Sequence, residues 1–347
     1  MEVSRLHGIY VPTITPLTSD ERVDEPSLRR LVDFLVDHGV HGLWSMGTTG
    51  EFPCLPEDER ARGVSTTVEQ VAGRVPVIAS VGDSSTGLAI RHAKRAAEAG
   101  ADVIAATPPH YYPIAMDEAI DHFRALKQAV PDLPLMIYNI PQTVKVKMTV
   151  EAALTLASDG TCAGIKDSQN DLQWFRSLVE EVRDAGLEDR FRCFLGTRQL
   201  IDAGVAIGAV GAIPANSNVA PSFCVQAYDA AIRGDRVAAT EAQKVAIAYE
   251  ALDRVAKGGS PNSATISSMK HVLKLWGVIE STTITRPMRG LKEDEVQELQ
   301  RRLEALPKAK PRSTNSRPAN WGPGARDGAA AASIAVSAAG LRERETE

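Results

Sequence analysis

Apolar residues along this chain follow two alternating rhythms. Short runs rich in β-branched residues recur at 8–15, 42–45, 76–80, 102–106, 135–138, 162–166, 192–195 and 209–213. Their length and composition are those of buried strands. Between them lie longer stretches with a period near that of a helix. At 25–38, Leu28, Leu31, Val32 and Leu35 form one stripe, the apolar face of a helix that packs on a sheet. A second stretch, 86–99, stops at Gly100, a residue suited to the left-handed position just past a helix end. Eight such β/α repeats predict an α/β fold, a closed (β/α)8 TIM barrel over residues 1–220. A doubly wound open sheet would carry a Gly-rich phosphate loop after its first strand. Here Pro12, Thr13, Ile14, Thr15 and Pro16 follow instead.

Helical stripes continue at 227–231, 238–252 and 269–276, predicting a C-terminal helical region, 221–306, packed on the barrel. From residue 307 the pattern stops. Pro, Lys, Arg, Ser, Asn and Gly give way to an alanine-rich run with almost no large side chains. Such a segment buries too little apolar surface to offset its chain entropy, so 307–347 is expected to be a disordered low-complexity tail.

Composition narrows the function. No apolar run approaches the roughly 18 residues of a membrane span, and residues 1–8 hold no signal-peptide core. The four cysteines, Cys54, Cys162, Cys193 and Cys224, have neither disulfide nor metal-ligand spacing. A reducing cytoplasm, no structural metal and no cofactor are therefore expected. A formal net charge of −5 with dispersed Lys and Arg carries no footprint for nucleic acid. The expected partners are small molecules and further copies of the chain.

In a βα barrel the reactive groups sit at the C-terminal ends of the strands, and three such ends carry chemistry here. Lys166 closes the sixth strand beside Cys162, Ala163 and Ile165. Burial there disfavours the ammonium and leaves an amine able to attack a carbonyl, although a lysine at a strand end is ordinarily a solvated surface residue. Gly47, Thr48, Thr49, Gly50 and Glu51 follow the second strand. Their turn offers N–H and hydroxyl groups to an anion, and reads equally as a plain Gly/Thr turn. Tyr138 ends the fifth strand, either as a proton relay or as a packing residue. Asp167, one residue past the lysine, points to the opposite face.

The ordered set of Gly-Thr-Thr-Gly-Glu-Phe at 47–52, Pro-Pro-His-Tyr-Tyr at 108–112, Tyr-Asn-Ile-Pro at 138–141 and Gly-Ile-Lys-Asp at 164–167 resembles the dihydrodipicolinate synthase and N-acetylneuraminate lyase superfamily. The resemblance covers residues 5 to 300. It implies that Lys166 condenses with the ketone of pyruvate or another 2-oxo acid, whose carboxylate rests on Thr48 and Thr49. It implies further that Tyr138 is the general acid/base, and that Thr48 links it to a second tyrosine, Tyr111 or its neighbour Tyr112, contributed by an adjoining subunit. Gly196 and Ile213 fall at implied substrate positions. A homo-oligomer, a dimer of dimers, is implied as well.

Two departures bear on the substrate. Dihydrodipicolinate synthases carry an arginine shortly after the Tyr-Asn-x-Pro turn, a position that falls on Thr143 here. Threonine cannot form the bidentate pair of a guanidinium with a carboxylate. Arg198 stands after the seventh strand, where related enzymes often have acidic residues. Facing the pocket, it favours an anionic substrate tail; starting the next helix, it points to solvent. Asn218 either contacts the same tail or caps the helix that follows. The leading expectation is a Schiff-base-forming lyase, a class I aldolase joining or parting pyruvate and an aldehyde. The alternative is a hydro-lyase on a 2-oxo sugar acid. Behind both stand 4-hydroxy-tetrahydrodipicolinate synthase and a non-catalytic 2-oxo acid binding protein. Retention of the lysine argues against the last, because binding alone needs no nucleophile.

Overall fold

The computed structural model describes residues 2–308. The segment expected to be a disordered tail lies, from residue 309 on, outside the described residues. Eight parallel strands close into a barrel in sequence order: β1 (Gly8–Pro12), β2 (Gly42–Ser45), β3 (Val77–Ser80), β4 (Val103–Ala106), β5 (Leu135–Asn139), β6 (Gly164–Asp167), β7 (Arg192–Leu195) and β8 (Gly211–Ala212). The crossovers are α1 (Glu25–Asp37), α2 (Glu57–Val71), α3 (Thr86–Glu98), α4 (Met116–Ala129), the short α5 (Pro141–Val144), α6 (Val150–Ser158), α7 (Leu172–Asp184) and α8 (Ile201–Ala206). The chain then continues through α9 (Pro221–Ile232), α10 (Arg236–Glu250), a 3-10 turn (Ala251–Val255), α11 (Pro261–Leu275) and α12 (Glu293–Glu304). Among the described residues no helix is long and apolar enough to cross a membrane.

Local chemistry explains the element ends. Asp24 accepts the Ser27 N–H at 3.2 Å to start α1, and Asp171 accepts that of Trp174 at 3.0 Å to start α7, each satisfying an orphan donor of the first turn. Helix α3 ends as its glycine predicts. Gly100, at φ +82°, donates to Ala97 O, and Ala101 donates to Ala96 O, both at 3.0 Å, the paired bonds of a Schellman end.

The outermost strands are shorter than the apolar runs that encode them. β1 stops at Pro12 instead of residue 15; past its end Thr13 N–H still donates to Trp44 O at 3.1 Å and Thr15 Oγ1 donates to Gly50 O at 2.7 Å. β8 keeps only Gly211 and Ala212, where Gly211 lies so close to the Gly8 backbone that a Cβ would not fit.

Both faces of the strands are buried, as expected when helices surround a parallel sheet. The barrel interior is filled by Leu6, Tyr10, Trp44, Ile78, Met136 and Phe194, with Tyr10 edge-on to Phe194 at 5.5 Å between centroids. An outer layer joins Ile9 and Val11 of β1, the stripe of α1, and residues of α9, α10 and α11. The C-terminal helices thus share one core with the first β/α unit.

Asn218 takes neither role open to it from the sequence. Its Oδ1 accepts the Ile14 N–H at 3.0 Å, while its Nδ2 donates to Pro12 O and Ala215 O, both at 2.9 Å. The side chain is fully buried and fastens the end of β1 to the chain leaving β8. Asn218→Ala would strand a buried N–H and a buried carbonyl. A loss of about 2–6 kcal/mol is expected, at roughly 1–3 kcal/mol for each of the two orphaned groups, read from the urea midpoint; an unchanged midpoint would refute the latch.

Candidate active site

Register brings the first two groups together. Tyr138 pairs with Lys166 across β5 and β6, and Lys166 with Phe194 across β6 and β7, so all three side chains point into the barrel. Lys166 Nζ lies 4.1 Å from the centre of the Tyr138 ring and 4.7 Å from that of Trp44. At 4% exposure the amine is desolvated. Burial lowers its pKa from the ordinary lysine value, with the Tyr138 phenol acting the other way; the burial effect is the larger. Space for the lysine depends on Gly196 after β7, where a Cβ would press on Lys166 Cε at 3.1 Å and collide with Ser168 Oγ.

The third group comes from the turn after β2. Thr48 Oγ1 and Tyr138 Oη are 3.3 Å apart. The turn closes on itself through Gly50 N–H to Gly47 O at 3.0 Å and Glu51 N–H to Thr48 O at 3.1 Å. Its last residue is held from outside the barrel. Glu51, left-handed at φ +64°, accepts from Lys270 Nζ of α11 at 2.5 Å, and both side chains are 0% exposed. Glu51 Oε2 also accepts the Thr285 N–H at 2.7 Å and the Thr285 hydroxyl at 2.9 Å, while Lys270 donates to Thr283 O at 2.6 Å. Burial lowers the Lys270 pKa and the facing Glu51 carboxylate opposes it.

A pocket of about 480 Å³ opens above these groups. Seven of the residues expected at the site line it: Lys166, Tyr138, Thr48, Thr49, Gly196, Arg198 and Ile213. Two others lie outside the lining. Thr143 is exposed on α5, one helical step past Gln142, which does face the pocket. Tyr111 is 71% exposed, with its carbonyl accepting from Lys145 Nζ at 3.2 Å. His110 meets the Phe52 ring edge-on at 6.3 Å and does not line the pocket either.

Arg198 faces the pocket, but its guanidinium is engaged. It pairs with Glu250 Oε1 of α10 and with Asp253 Oδ2, each at 3.2 Å. Residues that sequence reasoning passed over complete the walls: Gln142, Ser168, Asn170, Gln199 and Glu250. Ser168 and Asn170 directly follow the lysine motif and were within reach of a motif-based reading. Glu250 was not, since it comes from a helix outside the barrel.

Asp167 points outward, as strand alternation requires. Its Oδ1 accepts from Asn139 Nδ2 at 2.7 Å, and Asn139 Oδ1 accepts the Met148 N–H at 3.2 Å. Oδ2 is buried without a protein partner. Burial pushes the carboxyl up to about 7, with Asn139 acting the other way. Among the described residues no group of three or more His, Cys, Asp or Glu is placed to hold a metal ion.

A closed parallel barrel that presents a desolvated lysine to a polar pocket at its C-terminal strand ends is the scaffold of a lyase family. The chain belongs to it: a sequence model of the Dihydrodipicolinate synthetase family matches residues 5–306. An uncharacterized DapA-like lyase of Halobacterium salinarum is 36% identical over 290 residues, 84% of this chain and 90% of that protein. A 4-hydroxy-tetrahydrodipicolinate synthase of Thioalkalivibrio sulfidiphilus is 36% identical over 233 residues, 67% of this chain and 77% of that protein. Among solved structures, YagE, a prophage protein of the dihydrodipicolinic acid synthase family from E. coli K12 in complex with pyruvate, superposes with a TM-score of 0.80 at 28% identity. The match covers 87% of this chain and 98% of that one.

Asp167 makes stability depend on pH in a definite sense. Unfolded, its carboxyl titrates near 3.9; folded, near 7. Between those values the folded state holds the extra proton, so stability falls as pH rises from about 4 to 7. Asp167→Asn, which keeps an oxygen for Asn139, is expected to flatten that fall, a difference of up to about 4 kcal/mol between pH 4 and 8. Urea denaturation at both pH values checks this, and an unchanged slope in the variant would exclude a titrating Asp167.

Proposed function

We propose that this protein is a Schiff-base-forming lyase acting on 2-oxo acids, a class I aldolase making or breaking the carbon–carbon bond between pyruvate and an aldehyde. The observation that carries the reading is the desolvated Lys166 amine packed on the Tyr138 ring, beside the hydroxyl pair of Thr48 and Tyr138.

Lys166 Nζ attacks the C2 carbonyl of the 2-oxo acid, and water leaves to give the protonated imine. The Thr48 and Thr49 turn holds the carboxylate. Tyr138, having passed its proton to the departing water, takes one from C3 to give the enamine, the imine nitrogen taking up the electron pair. In the synthetic direction C3 then attacks the aldehyde carbonyl while Tyr138 delivers a proton to its oxygen. Hydrolysis of the new imine frees the lysine, and cleavage runs the same steps backwards. The second reading is a hydro-lyase, in which a hydroxyl on a neighbouring carbon leaves as water from the same enamine. The polar walls at Gln142, Ser168 and Asn170 suit the hydroxylated tail such a substrate carries. The absence of a guanidinium at Gln142 and Thr143 weighs against synthesis of 4-hydroxy-tetrahydrodipicolinate.

The working unit in this reading is a dimer of dimers, with Tyr111 reaching a neighbour's site. Tyr111 and Tyr112, 71% and 72% exposed and edge-to-face at 5.0 Å, are the kind of aromatic pair that subunit contacts cover. The four free cysteines suit a reducing cytoplasm.

Borohydride treatment with pyruvate is expected to add a reduced adduct to the wild-type chain and none to Lys166→Ala, read by intact-protein mass spectrometry. No adduct on the wild type would sink the reading. Tyr138→Phe is expected to keep the adduct while turnover drops about 10²–10⁴-fold; full turnover would remove Tyr138 from the mechanism. Product analysis separates the two lyase types, a released aldehyde marking the aldolase and a dehydrated 2-oxo acid the hydro-lyase.

A further inference from the structure

Three lining residues of the pocket carry charge: Lys166, Arg198 and Glu250. Lys166 sits at the floor as the amine of the reaction. Charge on the outer wall is therefore decided by Arg198 and by what surrounds it. Two carboxylates already hold that guanidinium, Glu250 at 3.2 Å and Asp253 at 3.2 Å. Thr265 accepts from it at 3.4 Å and also donates to Asp253 at 3.0 Å. Gln199 Nε2 donates to the same Glu250 oxygen at 3.0 Å. The second oxygen of Glu250, Oε2, is buried with no partner in the protein.

We propose that Glu250, seconded by Asp253, is a specificity-determining residue. By occupying Arg198 it makes the outer pocket select substrates with uncharged, hydroxylated tails and refuse those with a second carboxylate. This rests on the lysine–imine reading of the site. A guanidinium prefers a bidentate partner, and here that place is filled from α10 and the turn after it. A tail carboxylate would have to displace Glu250 from Arg198, against the like charge of that carboxylate. Hydroxyls meet no such opposition. The walls offer them amide and hydroxyl partners in Gln142, Ser168, Asn170 and Gln199. A sequence that puts arginine on the pocket wall thus encodes the opposite of an anion site, because a helix about fifty residues further on supplies the neutralising charge.

The test uses two five-carbon 2-oxo acids that differ only at the far end, 2-oxoglutarate and 5-hydroxy-2-oxopentanoate. Each is trapped on the full-length protein by borohydride and read as half-saturating concentration, with pyruvate as the tail-free reference. The wild type is expected to favour the hydroxylated compound. Glu250→Gln is expected to move the preference toward 2-oxoglutarate by about tenfold or more, the worth of a freed charge-assisted contact. Adding Arg198→Met should abolish that gain. Asp253→Asn frees the same guanidinium from the other side and should shift the preference in the same direction, which keeps the proposal open to refutation if Glu250→Gln does not fold by thermal melting. An equal preference in the wild type, or an unmoved ratio in the variants, would overturn the assignment while leaving the imine intact. Failure of pyruvate itself to be trapped would overturn the imine reading and this inference together.

Discussion

The register of β5 against β6 is the constraint on which the site depends. It sets Tyr138 opposite Lys166 on the inner face and Asn139 opposite Asp167 on the outer one. A slip of one residue would exchange the faces, turning the lysine into the helix layer and a carboxylate into the barrel. The outer pair opposes that slip, since the Asn139–Asp167 hydrogen bond of 2.7 Å joins two polar groups that a slip would part. Gly164 contributes at the strand's start, where a Cβ would stand 2.5 Å from Arg192 O. With the register set, the lysine amine packs on the Tyr138 and Trp44 rings, and burial lowers its basicity.

The barrel alone does not finish the pocket. The turn that carries Thr48 and Thr49 ends on Glu51, and this carboxylate receives its counter-charge from α11. Isolating two ions from water costs several kcal/mol apiece, and such a pair persists where every remaining donor and acceptor is also matched. Thr283 and Thr285 do the matching here. On the opposite wall, α10 and the turn after it set the charge around Arg198. The helices beyond the eighth strand therefore position one wall and set the electrostatics of another.

Much of this was legible in the chain. The alternation of short apolar runs and helical stripes gave the barrel and all eight strands, because strands buried on both faces leave a plain signal. Lys166, Tyr138 and the Thr48 turn were readable because they sit at strand ends, where the fold itself says that reactive groups belong. Strand ends were less legible. Thr13 to Thr15 and Ile213 are as apolar or β-prone as their neighbours, and Thr13 N–H and Ile213 N–H still donate to Trp44 O and Leu195 O, at 3.1 and 2.7 Å, just past the strand ends. Thr143 illustrates a finer limit: one residue along a helical turn is about 100° of rotation, which separates an exposed side chain from the pocket-facing Gln142. The Glu51 and Arg198 ion-pair partners, and the β1 partners of Asn218, left no local trace, since they lie tens to hundreds of residues away.

That separation has a consequence for how the protein is made. Glu51 and Lys270 stand 219 residues apart, and Glu51 and Thr285 stand 234 apart. At ordinary rates of translation, roughly 5–20 residues per second, some 10 to 40 s pass between the emergence of the carboxylate and that of its cation. During that interval Glu51 lacks the cation and the Thr285 donors that meet it in the fold. The pocket is thus completed near the end of synthesis, when α11 docks, so that a chain released early carries Lys166 without the Glu51–Lys270 pair that ends the neighbouring turn.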